Sequence, residues 1–434
     1  MGIDSRGDRL TYWIFMAIVR PILMYGVAVW WPAVRVRENC MKLDKVQRSV
    51  GIGITGAMRT TSKDAILAIL GIPNAELYAK YIAARTAIRL LSIGQWRIRL
   101  TGHSSILSVF NINIREIDLC ISSVDFRKNY DVQFPSRASW RENPLSEFKW
   151  KIFTDGSKTE TGCGAGFHFQ DSFIRQSFRL PDYCSVFQGE IFAIYMACQK
   201  LSILSELNII ETGGSIAICV DSQAALKALD SLYTSSSLVK ECRKLLNEMG
   251  EKWQITLLWV PGHSDIAGNE IADLLARQGS DLHISYAERV ATPLAHYNLM
   301  LKQHLSVAMN NHWIKSKNVS THIWGPISEK ESLNLLNNNR VVMRKIIFAV
   351  TGHWNIGKHA RRIGIIPAPC CPACGLIAQE TDLIHVWCQC PALCRLRQQY
   401  LGKYSPNLSD LDNIPLSRKI SFIKKLGWLG SSTS

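Results

Sequence analysis

The stretch W-V-P-G-H-S-D-I-A-G-N-E-I-A-D-L-L-A, residues 259–276, decides how the rest of the chain is read. Val260 and Pro261 close an apolar run, and Gly262 and Gly268 allow a loop with unusual backbone angles. Ile266, Ile271, Leu274 and Leu275 then supply an apolar face, which leaves Asp273 on a different side of the helix. Alone, this is a strand, a loop carrying His263 and a surface helix. Its meaning depends on what precedes it.

Upstream, K-W-K-I-F-T, G-C-G-A-G-F-H-F and F-I-R-Q-S-F-R-L read as three strands joined by turns. A long helix follows from about Phe187 to Leu204, then the strand S-I-A-I-C-V, short helices, and the strand W-Q-I-T-L-L-W-V. This order predicts an α/β domain over residues 148–280: a mixed five-stranded sheet with helices on its faces.

Four carboxylates fall at telling places in that domain. Asp155 follows the first strand in F-T-D-G-S-K, where an Asp-Gly pair is most often a turn. Glu190 lies early in the long helix, where an acid usually answers the helix dipole. Asp221 ends the strand I-A-I-C-V-D, where it could cap the next helix. Asp273 could be a solvated helix position. Together they carry more weight, because ends of adjacent strands bring side chains to one sheet edge. Carboxylates so gathered repel one another unless cations neutralise them. Two Mg²⁺ ions roughly 4 Å apart, with Mn²⁺ as a substitute, suit such a set and can drive phosphodiester hydrolysis.

Residues 148–280 resemble a type 1 ribonuclease H domain, in the order T-D-G-S, the Glu of Q-G-E, V-D-S, V-P-G-H and the Asp of E-I-A-D. The resemblance implies that Asp155, Glu190, Asp221 and Asp273 bind metal, and that His263 assists proton transfer or product departure. It implies hydrolysis of the RNA strand of RNA/DNA hybrids, with contacts to the 2′-OH for which Gly156, Ser157 and Gln188 are the candidates. One departure is visible: the family's longer basic substrate-gripping insertion is reduced to S-S-S-L-V-K-E-C-R-K-L-L.

The chain has 434 residues, 47% hydrophobic and 20% charged, as a globular protein of several domains requires. Its formal net charge of +15 favours a polyanionic partner such as nucleic acid. The charge sits in the flanks: residues 1–147 hold 20 Lys+Arg against 12 Asp+Glu, residues 148–280 hold 12 against 15, and residues 281–434 hold 18 against 8. No export signal stands out, and thirteen cysteines then point to reduced thiols or metal ligands in an intracellular protein. The apolar stretch Tyr12–Val34 is broken by Arg20-Pro21, which argues for a buried helix pair and against a membrane span.

Residues 1–119 read as helical. With R-P-I-L-M-Y-G, L-D-K-V-Q-R and a G-I-P turn they resemble the region after the palm of non-LTR retrotransposon reverse transcriptases. No two aspartates are adjacent anywhere, so the polymerase's paired-aspartate motif is absent and a palm domain would have to be supplied elsewhere. Residues 120–147 are polar and read as a linker, and 281–340 as a helical connector in which Thr292-Pro293 can cap a helix with Leu294, Tyr297, Leu301, Leu305 and Ala308 on one face.

Residues 341–434 hold a cysteine-rich segment. Cys371 and Cys374 form a C-x₂-C pair, His385 follows after ten residues and Cys390 lies five beyond, a spacing that suits a structural zinc site. Cys370, Cys388 and Cys394 are surplus, and Cys388 is an alternative fourth ligand. This run resembles the zinc-knuckle-like segment that follows ribonuclease H in such retroelement proteins. Lys358, Arg361, Arg362, Arg395 and Arg397 flank it and suit nucleic-acid binding. Two functions follow: a retroelement-derived hybrid ribonuclease, or an inactive nucleic-acid-binding remnant of the same ancestry.

Overall fold

A computed structural model of the chain describes residues 6–142, 144–170, 172–262, 266–315, 319–355, 357–365, 370–375 and 381–426. The chain folds as two compact units. One gathers residues 87–98 and 111–299, and the other joins residues 1–86, 99–110 and 300–434.

The central unit is built on a mixed sheet of six strands: β1 (Tyr130–Gln133), β2 (Trp150–Lys158), β3 (Cys163–Phe169), β4 (Arg175–Leu180), β5 (Ser215–Val220) and β6 (Gln254–Trp259). Their order across the sheet is β1-β6-β5-β2-β3-β4. β2, β3 and β4 are an antiparallel meander, while β5, β6 and β1 run parallel to β2. Five strands are those read from the sequence. The sixth corrects that reading, because β1 comes from the stretch taken as linker. Its Y-D-V-Q pattern is short and polar, and it becomes a strand through pairing with β6, from Tyr130↔Ile255 to Gln133↔Leu258. Propensity alone could not show it.

Helices α1 (Val186–Glu206), α2 (Gln223–Asp230), α3 (Ser237–Met249) and α4 (Ala267–Asp281) pack on the sheet. Alternate residues of a strand face opposite ways. A Cβ at Gly156 would lie 2.3 Å from the Glu190 nitrogen of α1, so α1 covers that face closely. On the other face, Cβ atoms at Gly164 and Gly166 would lie 2.2 and 2.6 Å from the Ala276 backbone of α4. Two cores result. Phe167, Ile191, Ile194, Ile218 and Leu257 lie in the larger one, and Phe153, Ala217, Cys219, Leu258 and Ala272 in the smaller.

This close approach corrects the expected apolar face of α4. Ala272, Ala276, Gly279 and Ser280 are buried with Leu275, whereas Leu274 is 54% exposed. Seated on the backbone at Gly164 and Gly166, the helix buries small side chains beside Leu275 and turns Leu274 to solvent.

Beyond α4, Thr292–Pro293 pairs in parallel with Ile117–Asp118 ahead of the helix Leu294–Ile314. Tyr297 and Leu301 are buried on that helix's expected face.

The other unit has its own core, in which Ile54, Ile66, Phe348, Trp387 and Phe422 meet. Both the N-terminal helices and the cysteine-rich region contribute to it. At its start the chain stays helical through Arg20-Pro21, where a break is expected. A wide turn at Phe15–Val19 lets the Arg20 N–H reach back to the Phe15 carbonyl, and the break comes at Gly26 with φ +64°. Leu10, Trp13, Ile18, Ile22, Tyr25 and Val29 are exposed, so the pair is only half buried. Among the described residues no single helix is long and apolar enough to cross a membrane.

Candidate functional site

The carboxylate site forms where the sheet opens. Pairing between β2 and β5 stops at Thr154↔Val220, yet β2 continues to Lys158 against β3. Asp155 therefore lies inside a strand, paired with Gly166, and not in the turn that Asp-Gly suggests. Asp221 follows the last residue of β5, at the same edge. It is not the helix cap, because Ser222 takes that role by accepting from the Ala225 N–H at 3.3 Å. The Trp259 indole fixes the Asp221 carbonyl at 3.1 Å, tying the ends of β5 and β6 together.

Glu190 arrives from α1. Ser185 and Gln188 form a reciprocal capping box that starts the helix. The Gln188 amide also donates to Asp118 Oδ2 and to the Ala291 carbonyl, each at 3.0 Å. Gln188 is 1% exposed, so the fold uses this side chain internally, away from the open cavity where a substrate contact is expected. Gly156, lacking a side chain, lets α1 approach until Glu190 reaches Asp155 around the open sheet end.

Ligand oxygens of Asp155, Glu190 and Asp221 all lie within 4.8 Å of one another. Burial first, then the charges of Asp221 and Asp273, push the Asp155 carboxyl up to about 7. Burial, then Asp155 and Asp221, lift Glu190 well above the usual carboxylate range, against the pull of the Gly156 N–H. Glu190 Oε2 is buried with no hydrogen-bond partner. An orphaned buried oxygen beside two more carboxylates is a donor set that a hard divalent cation fits.

Asp273 stands one step back on α4. It is held by Arg277 through contacts of 2.9 Å (Nε to Oδ1) and 2.8 Å (Nη2 to Oδ2). It still lines the same cavity of about 470 Å³, together with Gly156 and Ser157. Three lining residues escape sequence reasoning: Asn269, Glu270 and Arg277. Asn269 is buried, and its Oδ1 also lacks a partner. The one signal was a polar residue early in a helix one turn ahead of Asp273. His263 lies outside the described residues.

The cysteine-rich region forms a second candidate centre, in the other unit. Cys371, Cys374, His385 and Cys390 bring their ligand atoms within 4.8 Å of one another. Cys371 and Cys390 sulfurs are 4.0 Å apart, and Cys374 Sγ lies 3.4 Å from His385 Nε2. A tetrahedral zinc with bonds of about 2.3 Å to sulfur and 2.0 Å to nitrogen needs edges of about 3.8 and 3.5 Å. The donor set fits. Cys388 is buried but stands outside the group. Burial and the neighbouring thiols raise the Cys390 thiol far above its ordinary range, a penalty that a bound cation would reverse.

The flanking basic residues divide. Arg397 is fully buried and donates to the carbonyls of Tyr404 (2.7 Å), Cys390 (2.8 Å) and Val386 (3.4 Å), so it props the cluster instead of facing a nucleic acid. Lys358 is paired with Asp382 at 2.7 Å. Arg361 and Arg362 are exposed.

Compared with known proteins, residues 148–281 match the family model for RNase H. No curated protein matches the chain.

Proposed function

We propose that the RNase H domain at residues 148–281 is a metal-dependent endoribonuclease that cuts the RNA strand of RNA/DNA hybrids. The observation that carries this reading is the convergence of Asp155, Glu190 and Asp221 around a buried, unpartnered Glu190 oxygen. Asp155, Glu190, Asp221 and Asp273 would hold two Mg²⁺ ions, which would supply an activated water and charge stabilisation at the leaving oxygen, giving 3′-OH and 5′-phosphate ends. The chain's own part is to hold these carboxylates crowded at one sheet edge, with Asp155 and Glu190 reluctant to ionise until a cation offsets their repulsion. Gly156 and Ser157, which line the cavity, would meet the sugar edge of the RNA strand. His263 would assist proton transfer or departure of the product.

The order of helical region, RNase H domain and cysteine cluster supports a retroelement origin, with a polymerase palm supplied elsewhere. Cys371, Cys374, His385 and Cys390 would hold a structural zinc, whose contribution is folding energy. The test is cleavage of an end-labelled RNA/DNA hybrid by the purified chain. With Mg²⁺ the RNA strand is lost, and Asp221→Asn slows that loss by about a hundredfold or more. Hybrid bound but uncut by the unsubstituted chain would reject the enzyme and leave a binding protein.

A further inference from the structure

Next to the Cys/His cluster lies a cavity of about 540 Å³ that the nuclease reading does not use. Its floor is apolar, formed by Val319, Trp354, Leu383 and Ile384. Its rim carries His353, His359, Arg361 and Arg362. Lys358 and Asp382 also line it, but they neutralise each other at 2.7 Å, so the two arginines set the net charge. Pockets of this size and make-up, mostly apolar with a few convergent polar groups, suit a small ligand of nucleotide dimensions.

The rim is organised. Thr60 Oγ1 sits 3.0 Å from His353 Nδ1 and 3.2 Å from His359 Nε2, and the two imidazole rings lie 4.4 Å apart. Burial first, then His359 and the positive charges of Arg362 and Arg48, hold His353 down to about 4, so it stays neutral beside the two arginines. Asp382 accepts from Lys358 with one oxygen and from the His385 N–H with the other, at 3.0 Å, so the rim is tied to a member of the cluster.

An apolar floor with arginines at its lip suits a flat heterocycle joined to a phosphate. A base in a duplex cannot enter such a recess, since it is stacked and paired. We propose that this cavity holds one unpaired nucleotide of a single-stranded nucleic acid, its base on the apolar floor and its phosphate on Arg361 and Arg362. The site stands apart from cleavage by the central domain, so it can be probed with DNA, which that reaction leaves intact.

The experiment measures binding of fluorescein-labelled oligothymidylate to the full chain by anisotropy, with a DNA duplex and free thymidine monophosphate as competitors. Two variants test the halves of the site: Arg361→Glu with Arg362→Glu for the rim, and Leu383→Trp for the floor. Each is expected to weaken single-strand binding by about tenfold or more, with Leu383→Trp leaving duplex binding unchanged. Photo-crosslinking of a 4-thiothymidine oligonucleotide to the unsubstituted chain should map to residues 351–362 or 381–384, whether or not either variant folds. Loss of binding in the charge-reversed chain alone would overturn the recess in favour of general electrostatics. Free nucleotide binding as tightly as the strand, or crosslinks mapping elsewhere, would overturn it as well.

Discussion

Asp155 is asked to be charged in a place that opposes charge. Unfolded, it titrates near 3.8; in the folded chain without a cation it keeps its proton up to about 7. Between those values the folded state carries the extra proton, so this residue favours folding at low pH and the advantage disappears as pH rises through about 7. Glu190 acts in the same direction. In magnesium-free buffer the melting temperature of the central domain should therefore fall between about pH 5 and about pH 8. Added Mg²⁺ should raise it more at the alkaline end, and Asp155→Asn should flatten the slope. A level profile for the unsubstituted chain would remove crowding as the basis of metal binding. These acids were legible only as a set: each alone reads as a turn, a cap or a dipole partner, but Asp155 and Asp221 at the ends of apolar strands point to one sheet edge. Asn269 and Arg277 were not, since nothing local distinguishes them from a solvated helix face.

At the scale of elements, the close seating of α4 on β3 is what aims Asp273. Gly164 and Gly166 leave backbone for the helix to rest on, and Ala272 and Ala276 complete the fit. Gly164→Val would put side-chain atoms where the Ala276 carbonyl now lies, 2.2 Å from the new Cβ. The expected cost is about 2–4 kcal/mol in chemical denaturation. Hybrid cleavage should fall further than stability explains, because the helix carries Asp273 with it. Cleavage unchanged in the folded variant would mean that Asp273 is dispensable or that α4 relocates freely. The sequence displayed the hairpins, α1 and the strands β5 and β6, since each has its own apolar periodicity. β1 lacked one: its register is dictated by β6, far along the chain, and short polar strands leave no local trace.

Over the whole molecule, the core of the second unit draws on sequence from both sides of residues 111–299. Its Cys/His cluster should stabilise that unit alone. Cys390→Ser is expected to abolish stoichiometric zinc by elemental analysis and to lower one calorimetric transition while leaving the Mg²⁺-responsive one in place. A single transition that moves as a whole would argue against separate units. Such sharing is invisible to composition, because neither flank announces which apolar face it will meet.

The same interleaving governs how the protein is made. Helices Arg37–Thr55 and Lys63–Leu70 leave the ribosome well before their partner Arg340–Thr351 exists, and before Leu416–Lys425, which packs on that partner. At about 5–20 residues per second, translation of the intervening stretch takes on the order of 10–60 s. During that interval the central domain can complete its fold while Ile54, Ile66 and Leu70 wait with no core to enter. Those apolar faces are therefore open to chaperones until residues 340–351 emerge to cover them.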